Sequence, residues 1–181
     1  MSGAVPIAAF RHASTDRIRR LGIGMALVAL VIDQSTKLWL LRVFDLPGRQ
    51  QVRLMPWLDL VMAWNRGISY SLLTADSDAG RWLLIAGTLA AIGLLGVWLW
   101  RVHSPLTGVA LGLLIGGALG NVIDRIAYGA VADFVYFHVG AFHWYVFNGA
   151  DCAIVLGVAL LLVDMVSPHR ETAAQTPPAR P

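Results

Sequence analysis

The chain has 181 residues, of which 57% are hydrophobic and only 14% are charged. Soluble domains carry about 25% charged residues, and a small fold cannot hide this much apolar surface from water. The composition therefore excludes a typical soluble enzyme and a disordered protein, and a single cysteine excludes a disulfide scaffold. The net charge of +3 is not gathered into a basic patch, so we expect no nucleic-acid partner.

Four apolar blocks predict four transmembrane helices, at about residues 21–41, 82–100, 106–123 and 147–166. A bilayer core requires about 20 helical residues, and a helix satisfies its own backbone amides there. An arginine cluster precedes the first block without a cleavage site after it, which predicts an uncleaved span and a cytoplasmic N-terminus. Four spans then return the C-terminus to the cytoplasm.

Two segments are predicted to lie outside, residues 44–80 and 127–145. Residues 52–64 alternate between apolar and polar side chains, which is typical of strands, and Pro56 is expected to break or edge them. We therefore predict a single membrane domain over residues 1–166. The proline-rich residues 167–181 are expected to be a disordered cytoplasmic tail.

Aspartates mark the functional region, because charged side chains are costly at membrane depth. Asp33 has Lys37 one helical turn later, so the two are expected to pair. Asp124 is followed by Arg125, and adjacent residues on a helix point in different directions, which predicts separate partners. For Asp124 a structural role is the favoured interpretation.

Asp133 and Asp151 are the candidates for a catalytic role. Asp133 stands in an apolar setting, and Asp151 follows Asn148, a plausible N-cap of the fourth span. The third and fourth spans are joined by a short connection, so these carboxylates are expected to meet at the membrane surface. Two carboxylates that share a site do not both ionise easily, which suits activation of water against an amide. On the residues alone, a structural bundle or a small transporter with a proton relay stays open beside this aspartyl hydrolase.

Two other chemistries fit the sequence poorly. His138 and His143 do not have a recognised zinc-ligand spacing, so we predict no metal site. Cys152 has no activating neighbour in sequence and is expected to be a small core residue rather than a nucleophile.

Five segments together resemble the lipoprotein signal peptidase (signal peptidase II) family, and they occur in the family's order. They are Asp33-Gln-Ser-Thr-Lys37, Asn65-Arg-Gly67-Ile-Ser-Tyr70, Gly116-Gly-Ala-Leu-Gly120-Asn121-Val-Ile-Asp124-Arg125, Gly129-Ala-Val-Ala-Asp133-Phe134 and Phe147-Asn148-Gly-Ala150-Asp151. The resemblance implies an all-α membrane protein of four transmembrane helices, with a small extracytoplasmic β-sheet and a short extracytoplasmic helix or flap. The alternating residues 52–64 and the segment 127–145 would be those parts.

The same resemblance implies an intramembrane aspartyl endopeptidase. Such an enzyme removes signal peptides from bacterial prolipoproteins by cutting before a cysteine that carries a diacylglyceryl group. It implies Asp133 and Asp151 as the catalytic dyad. The substrate-binding residues would be Asn65, Gly67, Asn121, Arg125 and Asn148, and the supporting polar residues Asp33, Lys37 and Asp124.

The family also implies prolipoprotein and membrane-lipid partners and a multi-pass location in the bacterial inner membrane with the active site near the outer face. We further expect no cofactor and a monomer. Ser69-Tyr70 and Tyr145-Val146 depart from the family's usual residues. These departures affect the expected substrate fit and flap shape, and they do not affect the carboxylates.

Overall fold

The computed structural model describes residues 7–67 and 78–166, with side chains from residue 15 onward. Its five helices and four strands follow one another in this order: α1 (Ile7–Arg42), α2 (Leu46–Arg49), β1 (Gln51–Met55), β2 (Leu58–Asn65), α3 (Asp78–Arg101), α4 (Pro105–Tyr128), β3 (Val131–Val139), β4 (Phe142–His143) and α5 (Gly149–Val166). Within these residues, four helices (α1, α3, α4 and α5) are long and apolar enough to cross a membrane. The expected four-helix membrane fold is therefore confirmed.

Helix α4 is the centre of the bundle, and α1, α3 and α5 pack around it. Most of α4 is buried, whereas the other three helices expose most of their apolar side chains, as expected of surfaces that face lipid. Glycines make the central packing possible. A Cβ at Gly116 would collide with the carbonyl oxygen of Ala26 on α1, and one at Gly117 would lie 2.6 Å from that of Ala150 on α5. Small residues let transmembrane backbones approach closely in this way.

A polar cluster fastens the end of the bundle opposite the sheet. Ser104 caps α4 by accepting a hydrogen bond from the Thr107 amide. The side-chain hydroxyl groups of Ser104 and Thr107 both donate to the Asp164 carboxylate near the end of α5. Arg19 of α1 donates to the carbonyl oxygen of Trp100 at 2.8 Å. Side chains at this end thereby connect α4 to α5 and α1 to α3.

The sheet lies at the other end and is antiparallel throughout, in the order β1-β2-β3-β4. The strands predicted from the alternating residues are present, and Pro56 lies in the turn between β1 and β2. Leu40 at the end of α1, Leu46 of α2 and Phe134 of β3 are buried together and join the sheet to the bundle. This junction holds β3 against the ends of the spans.

The placement of the short helix in segment 127–145 was wrong. That segment forms β3 and β4, because Val131–Val139 pairs with β2, and the short helix is α2, at Leu46–Arg49. Cys152 is exposed, so its predicted place in the core was wrong. The reason is that α5 packs on α4 through Ala150 and Gly157, and Cys152 lies on another face. The predicted tail at 167–181 and the departure at Ser69-Tyr70 lie outside the described residues.

Candidate active site

Strand β3 places Asp133 between the sheet and the bundle. The residue pairs with Ala63 of β2, and its side chain is only 3% exposed. Asn65, at the end of β2, donates to one carboxylate oxygen at 3.1 Å. Asn148 donates to the other oxygen at 2.6 Å. Both oxygens of this buried carboxyl group therefore have an amide partner, as a buried polar group requires.

Asp151 is fixed by the way in which α5 begins. Asn148 accepts a hydrogen bond from the Asp151 amide at 3.0 Å, and the Asp151 carboxylate accepts one from the Asn148 amide at 3.2 Å. This reciprocal pair is a capping box, and it confirms Asn148 as the N-cap. The other carboxylate oxygen accepts from the Asn121 side chain of α4 at 3.1 Å. The carboxylate also lies at the positive end of the helix dipole.

Two asparagines connect the aspartates into one hydrogen-bond chain. The Asn148 side-chain amide donates to Asp133 and, at 3.2 Å, to the side-chain oxygen of Asn121. Asn121 in turn donates to Asp151. Asp133 and Asp151, which come from a strand and a helix, thus lie on opposite ends of the same pair of amides. The structure brings together all four residues, which come from three of the five motifs.

The electrostatic setting of Asp133 favours its protonated form. Burial raises the pKa of Asp133 most, the nearby Asp151 charge raises it further, and the value is about 6. The hydrogen bonds from Asn65 and Asn148 and the positive charge of Lys37 oppose this rise. A carboxyl group with this pKa exchanges its proton near neutral pH, which is a requirement for a general acid or base.

Lys37 binds two further aspartates, Asp33 and Asp124, next to the site. Its ammonium group lies 2.8 Å from the Asp33 carboxylate and 2.8 Å from the Asp124 carboxylate, and all three side chains are buried. Asp33 also accepts from the backbone amide of Ala150 at 2.9 Å, and Asp124 accepts from that of Ala132 at 3.1 Å. Each supporting carboxylate therefore holds the residue directly before one member of the pair.

One residue of this cluster had no predicted role. The Gln34 side chain donates to Asp33 at 3.1 Å, to Asp124 at 3.0 Å and to the carbonyl oxygen of Gly120 at 3.3 Å. Gln34 lies within the first motif, but its position beside Asp33 does not indicate which helix it faces, so the sequence predicts no role for it. The one feature of the sequence that could have indicated a role is that a polar amide side chain occurs within a predicted membrane span.

Arg125 and Gly67 lie beside the aspartates without bonding to them. Arg125 donates to the carbonyl oxygen of Gly67 at 3.0 Å, and the Gly67 amide donates to the side chain of Asn65 at 3.0 Å. These contacts hold the end of β2 over α4. Arg125 and Asp124 have different partners, as their adjacent positions on a helix predicted.

His138 and His143 lie away from this site. They form a directly opposed pair on β3 and β4, where Tyr136 bonds to the His143 ring at 2.8 Å and His138 lies 3.4 Å from the buried Asp59 carboxylate. Within residues 7–67 and 78–166, no group of three or more histidine, cysteine or acidic side chains is arranged to hold a metal ion.

Comparison with known proteins agrees with this architecture. The model of the family described as signal peptidase (SPase) II matches residues 25–167. A lipoprotein signal peptidase of Beijerinckia indica subsp. indica is 60% identical over 146 residues, which cover 81% of this chain and 87% of that protein. A second, from Methylobacterium sp. (strain 4-46), is 52% identical and covers 87% of this chain and 96% of that protein.

Solved structures show the same fold. A bacterial membrane enzyme determined by the in meso method at 2.3 Å has a TM-score of 0.71 and 23% identity, covering 85% of this chain and 94% of that one. Another, determined at 1.9 Å, has a TM-score of 0.69 and 25% identity, covering 81% and 93%.

The fold and the site define a multi-pass membrane protein with two carboxyl groups joined through amides at one end of its bundle. The family match and the identity to these relatives are extensive. The chain belongs to the signal peptidase II family, and it is a membrane protease of lipoprotein processing.

Proposed function

We propose that the chain is an intramembrane aspartyl endopeptidase in which Asp133 and Asp151 form the catalytic dyad. The observation that carries this proposal is the position of Asn148, which bonds to both aspartates through its side chain and backbone. The pKa of Asp133, near 6, adds support, because one carboxyl group of a dyad must hold a proton while the other accepts one.

The reaction follows the chemistry of paired carboxyl groups. The ionised aspartate takes a proton from a water molecule, whose oxygen forms a bond to the carbonyl carbon of the peptide. The protonated aspartate gives its proton to the carbonyl oxygen, which yields a neutral tetrahedral diol. The first aspartate then protonates the amide nitrogen as the carbon–nitrogen bond breaks. The second aspartate recovers its proton from a diol hydroxyl group as the carbonyl forms again.

The substrate is a prolipoprotein, cut before the cysteine that carries a diacylglyceryl group. The sheet end of the bundle is the extracytoplasmic end, and both termini are cytoplasmic. Arg17, Arg19 and Arg20 support this orientation, because positively charged residues near a first span favour the cytoplasm. The Asn65 to Gly67 segment, held by Arg125, supplies backbone and amide groups next to Asp133 for an extended peptide.

The test replaces each aspartate separately, Asp133→Asn and Asp151→Asn, in purified protein supplied with a lipid-modified precursor. We expect each variant to lose at least about 100-fold in kcat, because acid–base groups contribute on the order of 10²- to 10⁴-fold. Asp45→Asn is the control, because Asp45 caps the short α2, and we expect this variant to keep wild-type activity. Cleavage at the wild-type rate by either dyad variant contradicts the proposal, and proton flux without cleavage favours a transporter.

A further inference from the structure

An apolar cavity lies beside Asp151, at one end of the hydrogen-bond chain between the two aspartates. A cavity of about 430 Å³ has Asp151 in its wall and then follows α5 along Cys152, Val155, Leu156 and Ala159. None of these four residues takes part in the proposed chemistry. The volume lies within the range of about 300 to 1,000 Å³ that is typical of small-molecule sites.

The cavity occupies the side of α5 that faces away from α4. Ala150 and Gly157 are buried against α4, and the lining residues lie elsewhere around the helix. Val155 is 61% exposed and Leu156 is 51% exposed. In a membrane-spanning helix this exposed face meets lipid, so the cavity opens sideways into the bilayer.

Aromatic residues between β4 and α5 close the cavity at the sheet end. The Trp144 and Tyr145 rings lie 5.1 Å apart, and the Phe147 ring meets Tyr145 edge-on at 6.2 Å. The Phe147 carbonyl oxygen accepts hydrogen bonds from the Phe134 and Val135 amides of β3. These bonds fasten the aromatic cover to the strand that carries Asp133. The cavity wall and both aspartates therefore belong to one fixed arrangement.

We propose that this cavity is the subsite for an acyl chain of the diacylglyceryl group on the substrate cysteine. The proposal rests on the proposed function, in which the lipidated cysteine directly follows the bond that is cut. Its acyl chains must then leave the dyad within one residue and enter apolar surroundings, since hydrocarbon is unfavourable beside the amides and carboxylates of the site. The cavity satisfies this requirement, because it begins at Asp151 and continues into lipid.

A pair of valines on α5 provides a matched test. Val155 lines the cavity, whereas Val158 is 45% exposed on the same helix and does not line it. Val155→Trp and Val158→Trp are assayed on two precursor peptides, one with an S-dipalmitoylglyceryl cysteine and one with an S-dibutyrylglyceryl cysteine. Val155 lies about 6 Å along the helix from Asp151, so a tryptophan there blocks the long chain and leaves room for the short one.

We expect Val155→Trp to raise KM for the dipalmitoyl peptide at least about tenfold, the scale on which apolar pockets discriminate, while KM for the dibutyryl peptide and kcat stay near wild type. Val158→Trp should behave like wild type on both. Equal KM values for the two variants on the dipalmitoyl peptide overturn the subsite. That outcome leaves the dyad untouched, because the dyad is judged by the aspartate variants and by cleavage of the dibutyryl peptide.

Photocrosslinking tests the same assignment without altering the cavity. A dipalmitoyl-type peptide with a diazirine in one acyl chain is bound to Asp133→Asn and irradiated, and the labelled residues are mapped by mass spectrometry. Labels within residues 152–159 support the subsite. Labels confined to α3 or α1 overturn it, and so does labelling of the cavity by a diazirine in the signal peptide or in bulk phospholipid but not in the substrate chain.

Discussion

Lys37 of α1 lies 2.8 Å from Asp124 of α4, so one buried ammonium group serves a carboxylate on its own helix and another on the central helix. The two carboxylates hold the backbone amides of Ala150 and Ala132, which directly precede Asp151 and Asp133. Lys37 thereby connects the supports of both candidate catalytic residues. One side chain therefore helps to fix the start of α5 relative to strand β3.

Replacing Lys37 by methionine leaves Asp33 and Asp124 buried without their cation. Removing one partner of a buried ion pair costs about 3 to 5 kcal/mol, so we expect Lys37→Met to lower Tm by roughly 10 °C in detergent micelles. Arg53→Met is the control, because Arg53 is 72% exposed and lies 3.6 Å from Asp59. If both variants unfold at the wild-type temperature, Lys37 does not stabilise the site.

A methyl group at Gly117 should separate α5 from α4. It would lie 2.6 Å from the Ala150 carbonyl oxygen and 2.9 Å from an Ile154 side-chain carbon. Overpacking of this kind costs about 1 to 3 kcal/mol, and the shift of α5 moves Asp151, so Gly117→Ala should lose both stability and kcat. Thermal unfolding and cleavage assays measure the two effects.

Gly96→Ala on α3 is the matched control for that substitution. Apart from its chain neighbours and its own helix backbone, nothing lies within 4 Å of a Cβ at Gly96, and alanine is the better helix former by about 0.5 to 1 kcal/mol. We expect its activity to be unchanged and its stability to be equal or higher. Equal losses in the two variants would mean that close helix packing at Gly117 is not the cause.

The pKa of Asp133 predicts a pH-dependent stability. A pKa raised in the folded state to about 6, from 3.8 in the unfolded chain, favours the fold fully below pH 3.8, and this contribution is lost as pH rises through 6. The difference corresponds to on the order of 3 kcal/mol. We expect the wild type to lose more Tm between pH 4 and pH 7 than Asp133→Asn does. The same pH dependence of Tm in both proteins would contradict the raised pKa of Asp133.

The polar cluster opposite the sheet should contribute stability without contributing to catalysis. Asp164→Ala removes an acceptor from Ser104 and Thr107, and hydrogen bonds to charged groups contribute about 1.5 to 3 kcal/mol each. We expect a lower Tm with kcat and KM within about twofold of wild type. Asp16→Ala is the control, because Asp16 is 58% exposed and its pairing with Arg19 is worth about 1 kcal/mol or less. A large loss of kcat in Asp164→Ala would show coupling between the two ends of the bundle.

Apolar blocks and alternation were sufficient to predict four spans and a small sheet. The thickness of the bilayer sets the length of an apolar block, and the pleat of a strand sets a period of two residues. The local cap at Asn148 and the pair of Asp33 with Lys37 were likewise predictable, since their partners are three and four residues away. The motifs also named the aspartates that the structure brings together. These features depend on neighbours along the chain or on the solvent.

Long-range contacts could not be read in this way. Nothing in the order of residues indicated that Gln34 bridges Asp33 and Asp124, or that Cys152 faces outward, because these outcomes depend on how each helix is rotated against α4. That rotation follows from glycines such as Gly116 and Gly117, which allow close approach of α1 and of α5, respectively. The polar chain between Asp133 and Asp151, and the apolar cavity beside it, exist because packing places a strand, a central helix and a helix start around the same point.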